Sequence, residues 1–440
     1  MPSDELTRDT IAAIATPAGR GGIGVVRVSG AAVPRIAAAL LGSLPPPRRA
    51  TFGAFRDRHG ETIDEGLALS FPAPHSYTGE PVLELHGHGG PVVMRALLAA
   101  CLDAGARLAE PGEFTRRAFL EGKLDLAQAE AVADLIDAAS REAARSALRS
   151  LSGEFSAAIG SLQTKLIELR ALTEAMLDFP EEEVDALHRD DAARRLAEVR
   201  QALSEVLDKS RQGSLLRGGI HVVLAGRPNV GKSSLLNRLA GEERAIVTPI
   251  PGTTRDALRE PMLIGGVPLV VVDTAGLRES RDEIERLGMQ RTQQELERAD
   301  LVIAVFEASR GQDALHDLPA APARIDVYNK LDLSPGFVAP PDALAVSAKS
   351  GEGLERLRQR ILEAAGWSSS GEPVFLARER HLRALNLASA HLAAAAGEKR
   401  RWEFFAEELR LAHSALGTIT GEFSADDLLG EIFARFCIGK

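Results

Sequence analysis

Two glycines and a Lys-Ser pair have the spacing of a phosphate-binding loop in the run Gly226-Arg227-Pro228-Asn229-Val230-Gly231-Lys232-Ser233. An apolar run, 220–225, precedes it, and apolar residues recur at helical spacing after it, which predicts a strand, a loop and the start of a helix. In such a loop backbone N–H groups surround the phosphates, the lysine reaches the outer phosphates and the serine hydroxyl binds Mg²⁺. We therefore expect a nucleoside triphosphate to bind here.

Three further segments, each after an apolar run, identify the base as guanine. Asp273-Thr274-Ala275-Gly276 offers a carboxylate that can hold Mg²⁺ through water and an N–H that can meet the γ-phosphate. The carboxylate of Asn329-Lys330-Leu331-Asp332 can accept two hydrogen bonds from guanine, whereas adenine presents the wrong pattern. Ser347-Ala348-Lys349 supplies a backbone N–H for the guanine O6. Any one segment could be an ordinary turn, but the four in this order predict GTP.

Hydrolysis of GTP needs a group that orients the attacking water. Ras-like enzymes keep a glutamine directly after the glycine of the second segment, but the residue here is Leu277. The candidates are the acidic residues just beyond it, which are Glu279, Asp282, Glu283 and Glu285. Gly252-Thr253-Thr254-Arg255-Asp256 supplies a hydroxyl for Mg²⁺.

A monovalent cation could meet the negative charge of the transition state. The side-chain oxygen of Asn229 and backbone carbonyls of 245–254 could hold it, although Asn229 could equally be a turn residue after Pro228.

Composition limits the class of protein. The chain has 440 residues, of which 45% are hydrophobic, so it can bury sizeable cores in two to four domains. Its net charge of −10 argues against a general nucleic-acid coat. No apolar run approaches the ~20 residues of a membrane span, and two cysteines, Cys101 and Cys437, suit a reducing compartment. We expect a cytoplasmic protein that does not enter a membrane.

The patterning predicts three kinds of structure. Short strand-like runs between Gly/Pro turns predict an α+β domain over residues 1–120. An N-terminal cap at Asp125 and Gln128 opens an amphipathic helical domain, 121–215, whose pattern stops at a linker, 213–219. An α/β P-loop GTPase domain of the Ras-like kind, 216–368, is then inserted before the second helical part, 369–440, which ends in Cys-Ile-Gly-Lys.

The motifs resemble those of the MnmE (TrmE) family of tRNA-modification GTPases over essentially the whole chain. The segments that carry the resemblance outside the four nucleotide motifs are Ala15–Pro17, Arg27–Gly30, Tyr77–Glu80, Leu83–Gly90, Arg117–Leu120, Lys123–Glu130, Ile250–Asp256, Asp273–Arg286 and Phe436–Lys440. The resemblance implies a homodimer whose GTPase domains meet across their switch regions when K⁺ and GTP are bound.

The resemblance also implies roles for single residues. Glu285 would orient the catalytic water, Ser233 and Thr254 would hold Mg²⁺, and the K⁺ ligands would be Asn229, Thr248, Ile250 and Thr253. The remaining GTP contacts that we expect are Val230, Gly231, Lys232, Ser234, Pro249, Pro251, Gly252, Asp273, Thr274, Ala275, Gly276, Asn329, Lys330, Asp332, Ser347 and Ala348.

The N-terminal domain of the family resembles folate-binding one-carbon domains. The matching positions for a 5-formyl- or methylene-tetrahydrofolate are Arg27, Glu84, Lys123 and Lys440. Without the resemblance, Arg27 is typical of a strand-edge charge and Lys123 of a solvated lysine at a helix start. The resemblance implies that Cys437 is a catalytic or site-lining thiol at the one-carbon site, and a simple docking tail is the alternative. His86 and His88 lack a third metal ligand nearby and are read as loop or strand residues.

The expected function is that of a K⁺-stimulated GTPase. With an FAD-containing partner of the MnmG (GidA) family, in a heterotetramer, it would install a carboxymethylaminomethyl-type group at C5 of the wobble uridine of tRNA. Two alternatives stay open: an Era-like ribosome-assembly GTPase, against which residues 1–120 argue, and a GTP-regulated interaction protein without one-carbon chemistry.

Overall fold

The structure is a computed structural model that describes residues 9–178, 185–241, 259–273, 299–310, 323–368, 374–398, 401–422, 426–434, 436–437 and 439. The chain forms two compact units. The first, here termed the N-terminal unit, comprises Met1–Ala133 and Gly417–Lys440. The second, termed the central unit, comprises Asp134–Leu416.

A six-stranded sheet organises the N-terminal unit. Its strands are β1 (Ile11–Ile14), β2 (Gly24–Ser29), β3 (Thr51–Arg56), β4 (Thr62–Phe71), β5 (Val82–Gly87) and β6 (Arg107–Leu108). They lie in the order β3-β4-β5-β2-β1-β6, with every pair antiparallel except β1 and β6. Alternate residues of β2 and β5 pack with α1 (Val33–Leu41) and α2 (Pro91–Asp103) in one core. The predicted α+β domain is confirmed.

The last residues of the chain pack within the N-terminal unit. Helix α3 (Glu113–Leu120) lies beside the helix Asp426–Ala434, and a small core joins Leu126 with Phe433 and Phe436. The backbone N–H of Gly112 donates to the carbonyl of Cys437 at 3.3 Å. Gly439 lies against the backbone of Ile14, since a Cβ added there would stand 2.4 Å from the Ile14 oxygen.

Most of the long helices belong to the central unit. The long helices are α4 (Leu126–Ile136), α5 (Arg141–Leu151), α6 (Glu154–Asp178), α7 (Asp185–Gly218), and, after the inserted domain, Glu379–Gly397 and Trp402–Thr420. The cap predicted for α4 is confirmed: Asp125 N–H donates to Gln128 Oε1 at 3.0 Å and Gln128 N–H to Asp125 Oδ1 at 2.8 Å. No helix in the described part of the chain is long and apolar enough to cross a membrane.

The predicted linker at 213–219 is wrong, because α7 continues through Gly213 to Gly218. A Cβ at Gly213 would stand 1.6 Å from the carbonyl oxygen of Phe375. The glycine is therefore there so that the helix and the segment after the inserted domain can approach each other closely, and its low helix propensity is the cost of that contact.

The inserted α/β domain contains a second six-stranded sheet. Its strands are β7 (Ile220–Ala225), β8 (Arg259–Ile264), β9 (Val267–Asp273), β10 (Leu301–Glu307), β11 (Arg324–Asn329) and β12 (Ala343–Ala345). They lie in the order β12-β11-β10-β7-β9-β8, all parallel except β8, which pairs antiparallel with β9. Helices α8 (Lys232–Ala240) and α9 (Leu354–Ala364) pack on it. Continuous apolar strands such as Leu301–Phe306 are buried, as a sheet covered on both faces requires.

The β8–β9 hairpin packs on α5. A Cβ at Gly266, in its turn, would stand 2.5 Å from the Glu142 carboxylate. Ala143 and Ala147 of α5 share one hydrophobic core with Ile264 and Val267 of the hairpin. The helices and the inserted domain thus have a common core.

The close approach at Gly213 generates a stability prediction. Gly213→Ala forces a methyl group onto the Phe375 carbonyl, and we expect it to destabilise the protein by about 1–3 kcal/mol, as overpacking does. The matched control is Gly160→Ala in α6, where an added Cβ meets nothing within 4 Å and should stabilise by roughly 0.5–1 kcal/mol. Urea unfolding of the full chain measures both; equal midpoints would contradict the packing argument.

Candidate functional site

The phosphate-binding loop connects β7 to α8, as predicted from its spacing. Lys232 is buried, and its Nζ donates to the carbonyls of Gly226 at 2.8 Å and Arg227 at 3.1 Å. Gly231 has φ +94°, and a Cβ there would stand 2.3 Å from Asn329 Nδ2, so only glycine fits. Asn229 is exposed and has φ +66°, a left-handed conformation that asparagine tolerates well.

The buried amide of Asn329 joins two of the predicted segments. Its Nδ2 donates to the carbonyl of Val230 in the phosphate-binding loop at 3.0 Å. Its Oδ1 accepts the backbone N–H of Ala348 at 3.0 Å. Because both ends of a planar amide are bonded, the side chain fixes the phosphate loop relative to the loop after β12.

The candidate base-recognition residues are held by a second set of bonds. Ser347 Oγ donates to Asp332 Oδ1 at 2.7 Å and accepts the backbone N–H of Ser350 at 3.1 Å. Lys330 has φ +64°, and its Nζ lies 3.3 Å from Glu307 Oε2. These bonds orient the exposed Asp332 carboxylate beside the Ser347–Ala348 loop.

Strand register brings the segments to one edge of the sheet. Asp273, the last residue of β9, pairs with Leu224 just before the phosphate loop, and Asn329, the last of β11, pairs with Glu307. Ser233 and Ser234 lie in the first turn of α8. The other candidate positions lie outside the described residues, namely Thr248, Pro249, Ile250, Pro251, Gly252, Thr253, Thr254, Thr274, Ala275, Gly276 and Glu285.

Arg27 and Glu84 form a direct pair in the N-terminal unit. They are cross-strand partners on β2 and β5, and Arg27 Nε donates to Glu84 Oε1 at 2.9 Å. Because β2 is an inner strand, the reading of Arg27 as a strand-edge charge is wrong. The guanidinium carbon lies 5.4 Å from the ring centre of Tyr77 and 5.7 Å from that of Phe114. A cation, a carboxylate and aromatic rings are thus concentrated on one face of the sheet.

The other candidates of this region lie on neighbouring loops. Lys123 Nζ donates to the carbonyl of Pro74 at 3.1 Å, at the start of the loop that carries Tyr77. Cys437 is exposed, whereas burial raises the pKa of the Cys101 thiol to about 12 and makes that thiol inert. Of the two cysteines, only Cys437 is open to chemistry. Lys440 lies outside the described residues.

The two histidines near the Gly-rich turn pair with carboxylates. His86 Nε2 lies 3.3 Å from Glu84 Oε2, and His88 Nδ1 lies 2.8 Å from Asp64 Oδ1. Within the described residues, no group of three His, Cys, Asp or Glu side chains could hold a metal ion. His86 instead adds a second partner to the carboxylate that bonds Arg27.

Sequence reasoning missed an ionic cluster centred on the buried Arg117 of α3. Arg117, only 3% exposed, donates to Asp9 Oδ1 at 2.7 Å, Glu113 Oε1 at 2.9 Å and Glu80 Oε1 at 3.1 Å. Arg107 donates to Glu113 Oε1 at 2.6 Å. The cluster fixes α3, whose Phe114 lies beside Arg27. Its one local signal is the i,i+4 spacing of Glu113 and Arg117 on α3, and the other members are as far as 108 positions apart, so no pattern predicts that they meet.

The pKa of Glu113 reflects this cluster. Burial alone would raise it, but hydrogen bonds from Arg107, the Glu110 N–H and Arg117 outweigh burial and hold the pKa below its ordinary value. Glu113 is therefore a carboxylate at neutral pH.

Comparison with known proteins identifies the relatives of this chain. Residues 10–123 match the family described as the GTP-binding protein TrmE N-terminus, and residues 126–437 match the MnmE helical domain. The tRNA modification GTPase MnmE of Azoarcus sp. is 61% identical over 98% of both chains. That of Dechloromonas aromatica is 58% identical over 98% of this chain and 99% of its own. Among solved structures, the G domain of the T. maritima FeoB iron transporter is 26% identical over 33% of this chain and 98% of its own, with a TM-score of 0.25.

The Ser347–Asp332 bond generates a binding prediction. Ser347→Ala removes a hydrogen bond to a carboxylate, and we expect guanine-nucleotide affinity to fall roughly tenfold. Ser334→Ala is the matched control, because its buried hydroxyl has no hydrogen-bond partner in the described structure. Titration with a fluorescent GDP measures both affinities. An unchanged affinity in Ser347→Ala would show that the bond does not orient Asp332.

The lowered pKa of Glu113 generates a pH prediction. A carboxylate with a lowered folded-state pKa contributes stability that is complete above its unfolded pKa, about 4.3, and is lost as pH falls through the folded value. Urea unfolding between pH 7 and 3.5 should show this loss in the wild type. Glu113→Gln should cost roughly 3 kcal/mol at pH 7 and flatten the acid slope, since Arg117 loses a buried partner. The exposed Glu110→Gln should change neither; an unchanged slope in Glu113→Gln would contradict the assignment.

Proposed function

This chain belongs to the MnmE family of tRNA modification GTPases, and on that premise we propose the finer details of what it does. It is a GTP hydrolase that acts in tRNA modification. The proposal is that K⁺ stimulates its hydrolysis of GTP, and that with an FAD-containing partner of the MnmG family it installs a carboxymethylaminomethyl-type group. The position modified is C5 of the wobble uridine, and the carbon comes from a tetrahydrofolate one-carbon unit.

One observation carries the GTP site: the Asn329 amide, bonded at once to the Val230 carbonyl and to the Ala348 N–H. It joins the loop that would surround the phosphates to the loop that would face the guanine O6. The exposed Asp332 carboxylate, oriented by Ser347, lies at the same edge of the sheet and suits the two guanine donors. This arrangement supports guanine selectivity.

The phosphate end of the site suits Mg²⁺. Ser233 lies in the first turn of α8, whose N–H groups and positive dipole end favour anions. Asp273 ends the neighbouring strand and would reach the ion through water, and Thr254 would supply a second hydroxyl. Lys232 would exchange its bonds to the loop carbonyls for the outer phosphate oxygens. The ion would supply positive charge to the phosphates.

Water orientation and transition-state charge need further groups, because Leu277 replaces the usual glutamine. We assign the water to Glu285. Asn229, with Thr248, Ile250 and Thr253, would hold K⁺, which supplies the positive charge that an arginine gives elsewhere. The Asn229 side chain is exposed in the phosphate loop, which supports this role.

The Arg27–Glu84 pair suits a folate. The Glu84 carboxylate can accept from the amino and ring N–H donors of a pterin, and the partly exposed Tyr77 ring beside Arg27 provides apolar surface near it. Lys123 and Lys440 would meet the anionic glutamate tail. The folate would supply the one-carbon unit, and Cys437 would be a thiol at that site, with a docking role of the tail as the alternative.

Membership of the family supports a proposal for the assembly. We propose a homodimer through the N-terminal domain, a heterotetramer with the FAD-containing partner, and tRNA as the substrate, in the cytoplasm. An Era-like ribosome-assembly GTPase would carry an RNA-binding module instead of residues 10–123, which match the TrmE N-terminus.

Nucleoside mass spectrometry of tRNA tests this function. The gene is deleted and complemented with wild type, Glu285→Ala or the matched switch variant Glu283→Ala. We expect an aminomethyl-type uridine to disappear on deletion, and to return with wild type and Glu283→Ala but not with Glu285→Ala. Unchanged tRNA after deletion would refute the modification function.

Purified protein should hydrolyse GTP faster in KCl than in NaCl. In Asn229→Ala the two rates should be equal.

A further inference from the structure

A single carboxylate in the central unit binds both polypeptide connections of the GTPase domain. Asp134, on the last turn of α4, has a side chain only 6% exposed. Its Oδ1 accepts from Arg217 Nε at 2.9 Å and from Arg378 Nη2 at 2.9 Å, and its Oδ2 accepts from Arg378 Nε at 3.2 Å. Arg217 lies in the last turn of α7, the helix that leads into β7, and Arg378 is the N-cap of the helix Glu379–Gly397 that follows the domain. The whole GTPase domain lies between the two arginines in sequence.

The two connections also approach each other closely beside this carboxylate. Gly213, one turn before Arg217, touches the backbone of Phe375, three residues before Arg378. The side-chain amide of Gln212 donates to the Gly366 carbonyl at 2.5 Å and accepts the N–H of Ser368 at 2.9 Å. The incoming helix and the outgoing segment are therefore bonded to each other, and Asp134 bonds both of them to α4.

The two arginines require a carboxylate at position 134. Charge-assisted hydrogen bonds to guanidinium groups are short and strong, and a carboxylate can accept from two of them. An amide at this position keeps the shape of Asp134 but brings an N–H₂ group against arginine donors and removes the negative charge. The side chain of Arg378 is only 12% exposed, so water cannot fully replace the lost partner.

We propose that Asp134 is a positioning residue that couples the GTPase domain to α4. Asp134 bonds both connections of the GTPase domain, so any shift of these connections must also shift Asp134. Changes driven by the nucleotide therefore reach α4 through this side chain. When the carboxylate is lost, the domain still binds and hydrolyses GTP, but its changes no longer reach α4. This inference rests on the proposed function, in which GTP turnover drives the modification reaction.

The first test is hydrogen exchange of the full-length protein, with GDP and with a non-hydrolysable GTP analogue in KCl. In the wild type we expect the amides of 126–136 to exchange at rates that differ roughly fivefold or more between the two states. In Asp134→Asn that difference should disappear, while the kcat and KM for GTP stay within about twofold of wild type. A retained difference in Asp134→Asn, or no difference in the wild type, would overturn the proposal.

The matched control is Asp191→Asn, because Asp191 also accepts from two arginines, Arg194 and Arg195, but on the surface of its own helix. It should behave as wild type. Arg217→Gln removes one of the two ion pairs of Asp134 and keeps the pair with Arg378. We therefore expect this variant to fold and its exchange difference to be smaller than that of the wild type. If Asp134→Asn does not fold, the Arg217→Gln result decides: a full exchange difference there refutes the coupling.

The modified uridine per GTP hydrolysed gives a second readout. In Asp134→Asn we expect the number of uridines modified per GTP hydrolysed to fall roughly tenfold or more, while the rate of GTP hydrolysis is preserved. If the wild-type protein leaves tRNA unmodified, the proposed function is refuted, and the hydrogen-exchange result still tests the coupling through Asp134. If the wild type and Asp134→Asn modify tRNA equally well, the coupling is refuted and the proposed function stands.

Discussion

The parallel pairing of β7 with β9 and β10, and of β10 with β11, is the constraint on which the nucleotide site depends. Parallel strands end at a common edge, so segments distant in the chain meet there without any local contact between them. Val230 and Asn329, 99 positions apart, are joined by one hydrogen bond at that edge. The antiparallel β8 departs from this rule, and it forms the hairpin that packs on α5.

Each unit contains an ionic cluster centred on one buried side chain, Arg117 in the N-terminal unit and Asp134 in the central unit. In the N-terminal unit, Arg117 holds α3 in place, and with it the ring of Phe114 beside Arg27. In the central unit, Asp134 holds the two connections of the GTPase domain. Such clusters add little net stability over an apolar core, but the loss of one partner is costly, so they impose one arrangement on the chain. The ionic clusters therefore contribute more to the positions of these elements than to the stability of the fold.

Insertion of one domain into another requires that its two connections lie close together, and this chain meets the requirement with glycine and charge. Gly213 permits the close backbone approach, and Asp134 bonds both sides. The hairpin on α5 is a separate attachment, through Ile264 and Val267. A GTPase domain attached at two places, at Asp134 on α4 and at α5, is suited to transmit a nucleotide-dependent rearrangement to these helices.

The sequence by itself determined the features whose signals are contiguous. The phosphate loop between β7 and α8 and the reciprocal Asp125–Gln128 cap each depend on a few neighbouring residues, so spacing alone predicts them. Features that depend on register or on close approach were decided only by the tertiary structure. Cross-strand register pairs Arg27 with Glu84. Gly213 lies inside a helix, where it allows close contact with the Phe375 backbone, and does not mark the end of that helix. The partners of Asp134 lie 83 and 244 positions away, a distance at which no periodicity operates. Local patterns specify elements, but which side chains meet depends on how those elements pack.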